Sequence, residues 1–545
     1  MMRPILLYIM LAFLGTASAE AQVPKPAPAP TANHKKFEEL KGPFASGPEV
    51  TKACLSCHTE AAKQVLGSIH WSWEFKHPTT GQLLGKRHVI NSFCGNVVTN
   101  EPRCTSCHAG YGWKDQSFDF SSEQNVDCLA CHDTTGTYVK WADGAGHPLY
   151  EPRSTGSKFG LYPKELVTRL ENGKFRHDPP DLSKVARNIG KPDRQVCGLC
   201  HFYGGGGDNV KHGDLSSVLN TPERHIDVHM SPDGANMVCT DCHTAHGHEW
   251  PGSRYLGTVK DERKPIPGFR RPDVVNCDSC HTRTPHDLTT LSGIKLNNHT
   301  HRVACQTCHI PEFARGGVAT KTWWDWSTIG KLKDGKPYSE TGPLGRKSYV
   351  SQKGDFVWEK DVVPTYAFWN GVVEYTLLGE KIDPESIVSI NRIHGEADDA
   401  KSVIYPFKRM LGRQAYDKVH KHLLLNKVYG PDTDTALWTG FDYAKSLAAG
   451  MTATDVPFSG QYDFVDTQMW WPTTHMVAPA DQALGCDSCH ARDGRLASLG
   501  GFYLPGRDGF AITDRVGLGL LLLTIIAVMA HGTIRFITAA RRRNT

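Results

Sequence analysis

The chain has 545 residues, of which 39% are hydrophobic and 22% charged, and a formal net charge of +4. That balance excludes a disordered chain and a many-spanning membrane protein, and a charge this near neutral gives no support for nucleic-acid binding. The outlying counts are 17 Cys and 27 His.

Residues 1–19 carry one early positive charge at Arg3, an apolar run from Ile5 to Leu14, and small residues at Ala17 and Ala19. This predicts a secretory signal peptide cleaved after Ala19; the run is short for an uncleaved anchor. Residues 20–45 read as a Pro/Ala-rich tether that stays extended and unpacked.

From Cys54 onward the pattern Cys-x-x-Cys-His occurs eight times. Chance would supply about 0.03 copies, so the repeat is there for its chemistry. The copies pair Cys54 with Cys57, Cys104 with Cys107, Cys128 with Cys131, Cys197 with Cys200, Cys239 with Cys242, Cys277 with Cys280, Cys305 with Cys308 and Cys486 with Cys489. In haem c, two such thiols form thioethers to the vinyl groups and the adjacent His reaches the iron. Zinc ribbons do not demand a His after every pair. Disulfides across two residues close a tiny loop and stabilise little, and a thioredoxin-like motif needs a βαβ context that is absent here. The reading is eight covalently attached haems c with proximal ligands His58, His108, His132, His201, His243, His281, His309 and His490.

Seven motifs fall within residues 46–310, so neighbouring haems are crowded enough to form an electron path. Residues 311–500 hold only the last motif, and helical periodicity around 400–412, 414–424 and 435–449 predicts a mainly helical region. Trp323, Trp324 and Trp326 read as aromatic packing rather than an electron path. The expected fold is mainly α with much irregular structure, a multihaem cytochrome c fold packed around eight haems. A linker, 501–515, leads to an apolar span at 516–537 and a basic tail, 538–545. Residues 516–534 contain no Asp, Glu, Lys or Arg, while Arg535, Arg541, Arg542 and Arg543 follow. This predicts one transmembrane helix in the lipid bilayer with a cytoplasmic C-terminus, holding the body on the periplasmic side of the bacterial inner membrane. His531 in the span reads as a helix-packing or partner contact rather than a ligand.

A haem with two protein ligands transfers electrons, and one with a displaceable position can do chemistry. Removing the eight motif histidines leaves 19, enough by number to saturate every iron. His34, His77, His88, His147, His177, His394, His420 and His422 look by context like ordinary surface residues. Cys94 is the one cysteine outside the motifs.

The stretches NSFCGNVVTNEPRCTSCHAGYGW, VDCLACHDTTGTY, DLSKVARNIGKPDRQVCGLCHFYGGGGDNVKHGDL, ACQTCHIPEFARG and TTHMVAPADQALGCDSCH run in chain order from about residue 50 to 495. They resemble the octahaem tetrathionate reductase family of c-type cytochromes, which is related to the octahaem hydroxylamine oxidoreductases. The resemblance implies seven bis-histidine haems and one active-site haem, on Cys104, Cys107 and His108, with a lysine amine as distal ligand. It carries that lysine to Lys184 in DLSK, its nearby acid to Asp181, and a cysteine near the active-site haem to Cys94. It implies distal ligands His70, His212, His229, His248, His286, His299 and His475, with His246 and His301 competing for two of these places. Asp181 also reads as a helix cap.

The implied activity is reduction of a small anionic substrate, tetrathionate and/or nitrite, or of hydroxylamine. Electrons would come from a membrane quinol-oxidising or cytochrome partner. The rival readings are a conduit without chemistry of its own and a dehydrogenase running the other way. The family's members are soluble, so the apolar tail departs from its pattern.

Overall fold

The structure, a computed structural model, describes residues 32–259, 275–282, 284–430 and 432–543. The signal peptide and the first part of the tether lie outside these residues.

Each motif is built on one tight turn. A Cys, a second Cys three residues on and a His four residues on fall on one side of a helical turn. In five of them the turn is closed by the His backbone N–H donating to the first Cys carbonyl, at 2.9 Å for His58, 3.1 Å for His132, 2.8 Å for His243 and His281, and 2.9 Å for His490, whereas the His108 N–H donates to the Thr105 carbonyl at 2.9 Å. Longer helices flank only some motifs, as in Gly47–Leu55 and Arg194–His201.

The motif-poor half corrects the expected fold. It is not mainly helical: an eight-stranded sheet occupies it. Its centre is the 15-residue strand Val403–Asp417, which pairs antiparallel with Tyr462–Pro472 along one edge. Its other edge takes Thr365–Trp369 first and then, in parallel, Thr320–Asp325. Residues 400–412 and 414–424 therefore contain strand rather than helix. A strand covered on both faces loses the polar/apolar alternation that identifies it, and its apolar run is easily read as helical. Only the third expected segment contains helix, at Leu437–Gly440 and Tyr443–Thr452.

The sheet carries the main apolar cluster, including Trp324, Phe407, Met410, Met469 and Trp471. Trp324 and Trp326 stack at 4.7 Å within it, as packing aromatics. The Lys408 ammonium crosses from this sheet to the motif-rich half. It donates to the carbonyls of Val210 and Lys211 at 3.0 and 3.1 Å and to the Thr320 hydroxyl at 2.6 Å.

Two boundaries also move. The tether is not unpacked throughout its length: Leu40 is buried and packs with Val50, Leu182 and Val185. The C-terminal helix runs Ala511–Arg543, so the linker is shorter than expected. Among the described residues this is the one helix apolar and long enough to cross a membrane, and its apolar window buries nothing against the body.

Candidate functional site

The motif-rich half encloses a continuous cavity of ≈ 3770 Å³ lined by cysteines and histidines of the first six motifs. An ordinary single-ligand pocket is roughly 300–1,000 Å³, so this space suits several large groups side by side.

The imidazoles show what those groups are. Seven motif histidines each face a second ring. The centroid separations are His58–His34 6.2 Å, His132–His248 6.4 Å, His201–His70 6.2 Å, His243–His475 6.5 Å, His281–His229 6.1 Å, His309–His286 6.4 Å and His490–His299 6.1 Å. A metal–imidazole bond of about 2.0 Å on each side of one ion, plus the half-width of two rings, needs nearly this separation. The second ring nitrogens agree. Nδ1 of His132, His243, His490 and His299 faces the carbonyl of Gly190, Pro251, Pro505 and Lys295, at 2.7–3.0 Å. Nδ1 of His248, His286 and His475 faces Gln64, Asn297 and Asp214. Ligating histidines characteristically donate their other N–H in this way, which fixes the ring and leaves Nε2 for the metal. The residues present therefore fit haem c held between paired imidazoles.

Six of the seven expected distal histidines stand in these pairs: His70, His229, His248, His286, His299 and His475. His248 and His299, not His246 and His301, face the motif rings. His212 is a correction. Its ring lies 5.0 Å from Trp471, and among the described residues it is paired with no motif imidazole, although His201 is close enough to act on its charge. The seventh partner is His34, which the sequence placed among surface residues; its setting in an otherwise polar stretch gave no ligand signal. His77, His177 and His422 are also buried rather than on the surface.

His108 differs from the other motif histidines. Among the described residues no imidazole faces it. Its ring lies within 5.5 Å of Trp71, Trp73, Trp113 and Phe118, its Nε2 meets the Trp71 carbonyl at 2.7 Å, and its buried Nδ1 has no partner.

Lys184 and Asp181 are not at this site. Asp181 caps the helix Leu182–Arg187 by accepting from the Lys184 N–H at 2.9 Å, and both side chains are exposed. Lys86, Lys140, Lys191, Lys353 and Lys211 do line the cavity, and the Lys211 ammonium feels the thiols of Cys107 and Cys104. Burial, with Arg254 and Lys86 nearby, holds it well below the usual lysine range. Lys211 and Arg254 approach the same indole, Trp471, at 5.2 and 4.8 Å. One Arg254 nitrogen donates to the Tyr255 hydroxyl at 2.7 Å, and the other terminal nitrogen is buried without a partner. Cys94 lines the same cavity. Burial raises its thiol pKa, against the pull of Lys353, Arg103 and Lys321. The site is thus cationic, with one thiol from outside the motifs.

Thiols from different motifs meet. Cys54 lies against Cys128, Cys107 against Cys200, Cys197 against Cys239 and Cys277 against Cys305. Cys308 lies close to Cys489, and the Leu484 N–H donates to the Cys308 carbonyl at 3.0 Å. With Cys131 also near Cys197, the attachment points fall into two connected groups, the first five motifs and the last three.

Comparison with known proteins agrees with this arrangement. A sequence profile described as bacterial cytochrome c matches residues 321–493. An uncharacterized protein of Archaeoglobus fulgidus is 27% identical over 257 residues, covering 40% of this chain and 80% of that protein. The crystal structure of octaheme cytochrome c from Shewanella oneidensis is similar at 41% identity with a TM-score of 0.72, covering 86% of this chain and 96% of the other. Eight attachment motifs, seven facing imidazole pairs and this similarity over nearly the whole relative lead to one conclusion: the chain belongs to the octahaem cytochromes c.

Proposed function

We propose that this protein is a membrane-anchored, periplasmic octahaem cytochrome c that delivers electrons to the His108 site. There it reduces tetrathionate and/or nitrite and hydroxylamine. The observation that carries the reading is the isolation of His108: the other seven motif imidazoles each face a second imidazole, and among the described residues this one faces none.

Haem c supplies electron storage at every attachment point and, where no second imidazole stands opposite, an iron position a small molecule can reach. The chain supplies the rest. Lys211, in place of Lys184, is the amine set to ligate, and burial favours the neutral form that ligation needs. Arg254 and Lys86 add positive potential for an anion. Cleavage of tetrathionate to two thiosulfates takes two electrons and no proton, so cationic positioning suffices for that substrate. Nitrite and hydroxylamine reduction need protons as well, and the basic side chains lining the site can pass them. Cys94 is the thiol available for exchange with a sulfur–sulfur bond, once its buried S–H has given up its proton.

The apolar helix supports the anchor, and the arginines after it support a cytoplasmic C-terminus. The same anchor favours a second reading, a conduit between a membrane donor and other redox proteins. One experiment separates them. In the oxidised holoprotein, tetrathionate, nitrite and hydroxylamine are added in turn while the ferric haem signals are recorded by electron paramagnetic resonance. The reductase reading requires one signal to respond and to change in Lys211→Met; a spectrum insensitive to every acceptor leaves the conduit.

A further inference from the structure

The C-terminal helix is tied directly to one haem site. His490 Nδ1 donates to the Pro505 carbonyl at 3.0 Å. The next residue, Gly506, has φ +87°, and an added Cβ there would meet the His490 carbonyl oxygen at 2.2 Å. So the backbone of residues 505–506 lies directly on the backbone of His490, and only glycine fits. Arg507 braces this loop, donating to the carbonyls of Leu496 at 3.0 Å and Phe502 at 2.8 Å and pairing with Asp508 at 2.7 Å. Leu504 is buried with Tyr366, Phe368 and Leu496.

The helix that carries the candidate span starts at Ala511, and its uncharged stretch starts at Val516, just after Asp514 and Arg515. Five steps from Gly506 to Ala511 reach at most about 18 Å at about 3.6 Å each, and five helical steps on to Val516 add about 8 Å at about 1.5 Å each, or about 26 Å in all. The His299–His490 site is therefore held within about that distance of the bilayer. A small domain is about 30 Å across, so a globular donor does not fit between this site and the lipid. Two aromatic side chains between Leu496 and Ile512 are exposed, Tyr503 at 66% and Phe510 at 77%, residue types that settle at a membrane interface. Cys486, at the same site, is exposed as well.

We infer that the surface formed by Cys486, Tyr503 and Phe510 is where this protein takes electrons from a hydroquinone dissolved in the bilayer. The inference rests on the reading that Ile512–Arg542 crosses the membrane. Oxidation of one hydroquinone to its quinone releases two electrons and two protons. The electrons go to two ferric sites of this chain and the protons to water at the outer face, so no other reactant is consumed. The Cys308–Cys489 and Cys277–Cys305 contacts carry the electrons onward from this end.

The test uses the full-length holoprotein in phospholipid nanodiscs loaded with a long-chain menaquinol. Freeze-quenched samples are followed by electron paramagnetic resonance, and dithionite serves as the anchor-independent control. Tyr503→Ser/Phe510→Ser is expected to slow reduction by menaquinol at least tenfold and to leave reduction by dithionite unchanged. His299→Met is expected to raise the potential of one redox component, because a Met/His pair holds iron at a higher potential, and to retain more of the first electrons at that component. The inference is overturned if menaquinol alone does not reduce the protein, which would point to a membrane-protein donor. It is also overturned if the signals of other sites vanish while the His299–His490 signal persists. Extraction by alkaline carbonate tests the anchor separately: release would remove the anchor reading, whereas retention without menaquinol reduction would remove only the port.

Discussion

The rings of His34 and His58 lie 6.2 Å apart and within 22° of parallel, although 24 positions separate them in a stretch that reads as a polar tether. The first haem is therefore closed from the N-terminal side. His34→Ala should leave the His58 site with one protein ligand. Visible and magnetic resonance spectra should show loss of one low-spin component and gain of one high-spin component. An unchanged low-spin count would mean that another residue ligates there.

Ring orientation sorts the seven paired sites into two groups. Three pairs are near parallel, at 22°, 25° and 17°, and four are crossed, at 63–76°. Parallel imidazole planes split the two π-type iron orbitals and give a rhombic ferric signal. Crossed planes bring those orbitals close in energy and give a single broad feature at high g. Quantified spectra should show about three sites of the first kind and about four of the second. A spectrum with only rhombic signals would contradict the ring geometry.

Lys211 and Lys184 make opposite predictions. Lys211→Met should abolish the outlying ferric signal and lower turnover of every acceptor at least tenfold. Lys184→Met, on the exposed side of its helix, should change neither. If the outlying signal follows Lys184 instead, Lys211 is only electrostatic. Cys94→Ser divides the acceptors: tetrathionate turnover should fall while nitrite turnover is retained, and equal loss of both would remove the thiol-exchange role.

Asp417 accepts from the N–H groups of Val419, His420 and Ser459 at 2.7–2.8 Å and from the Ser459 hydroxyl at 2.9 Å. Burial alone would raise its pKa, but these hydrogen bonds outweigh that and hold the carboxyl at about 2. The unfolded value is about 3.9. Its stabilisation is therefore fully present above about pH 4 and is lost as the pH falls through about 2. Asp417→Asn should cost on the order of 2 kcal/mol at neutral pH and flatten the acid limb, as read from denaturation of the sheet's tryptophan signal.

The attachment chemistry was legible because thioether spacing is strictly local: Cys, Cys and His must share one turn. Distal ligands were harder, since an iron accepts a ring from anywhere in the chain. His299 and His475, a few residues before a motif, were readable; His34, in the tether, was not. The lysine shows the limit of local pattern most clearly. Asp181-x-x-Lys184 and Asp208-x-x-Lys211 have the same spacing, and only burial against Trp471 distinguishes them. The Val403–Asp417 strand is hidden in the sequence for a related reason. Its partners arrive from residues 320–325, 365–369 and 462–472, so the pairing that makes it a strand is invisible within any short window.

The thiol contacts between motifs have a consequence for how the molecule charges. Sites joined as closely as Cys107–Cys200 or Cys277–Cys305 do not titrate independently, because an electron placed on one raises the energy of placing another beside it. The protein should fill over one wide, overlapping wave rather than in separable Nernstian steps. Its midpoints are then properties of the assembly rather than of any single iron, which lets it hold partial charge across a broad range of ambient potential.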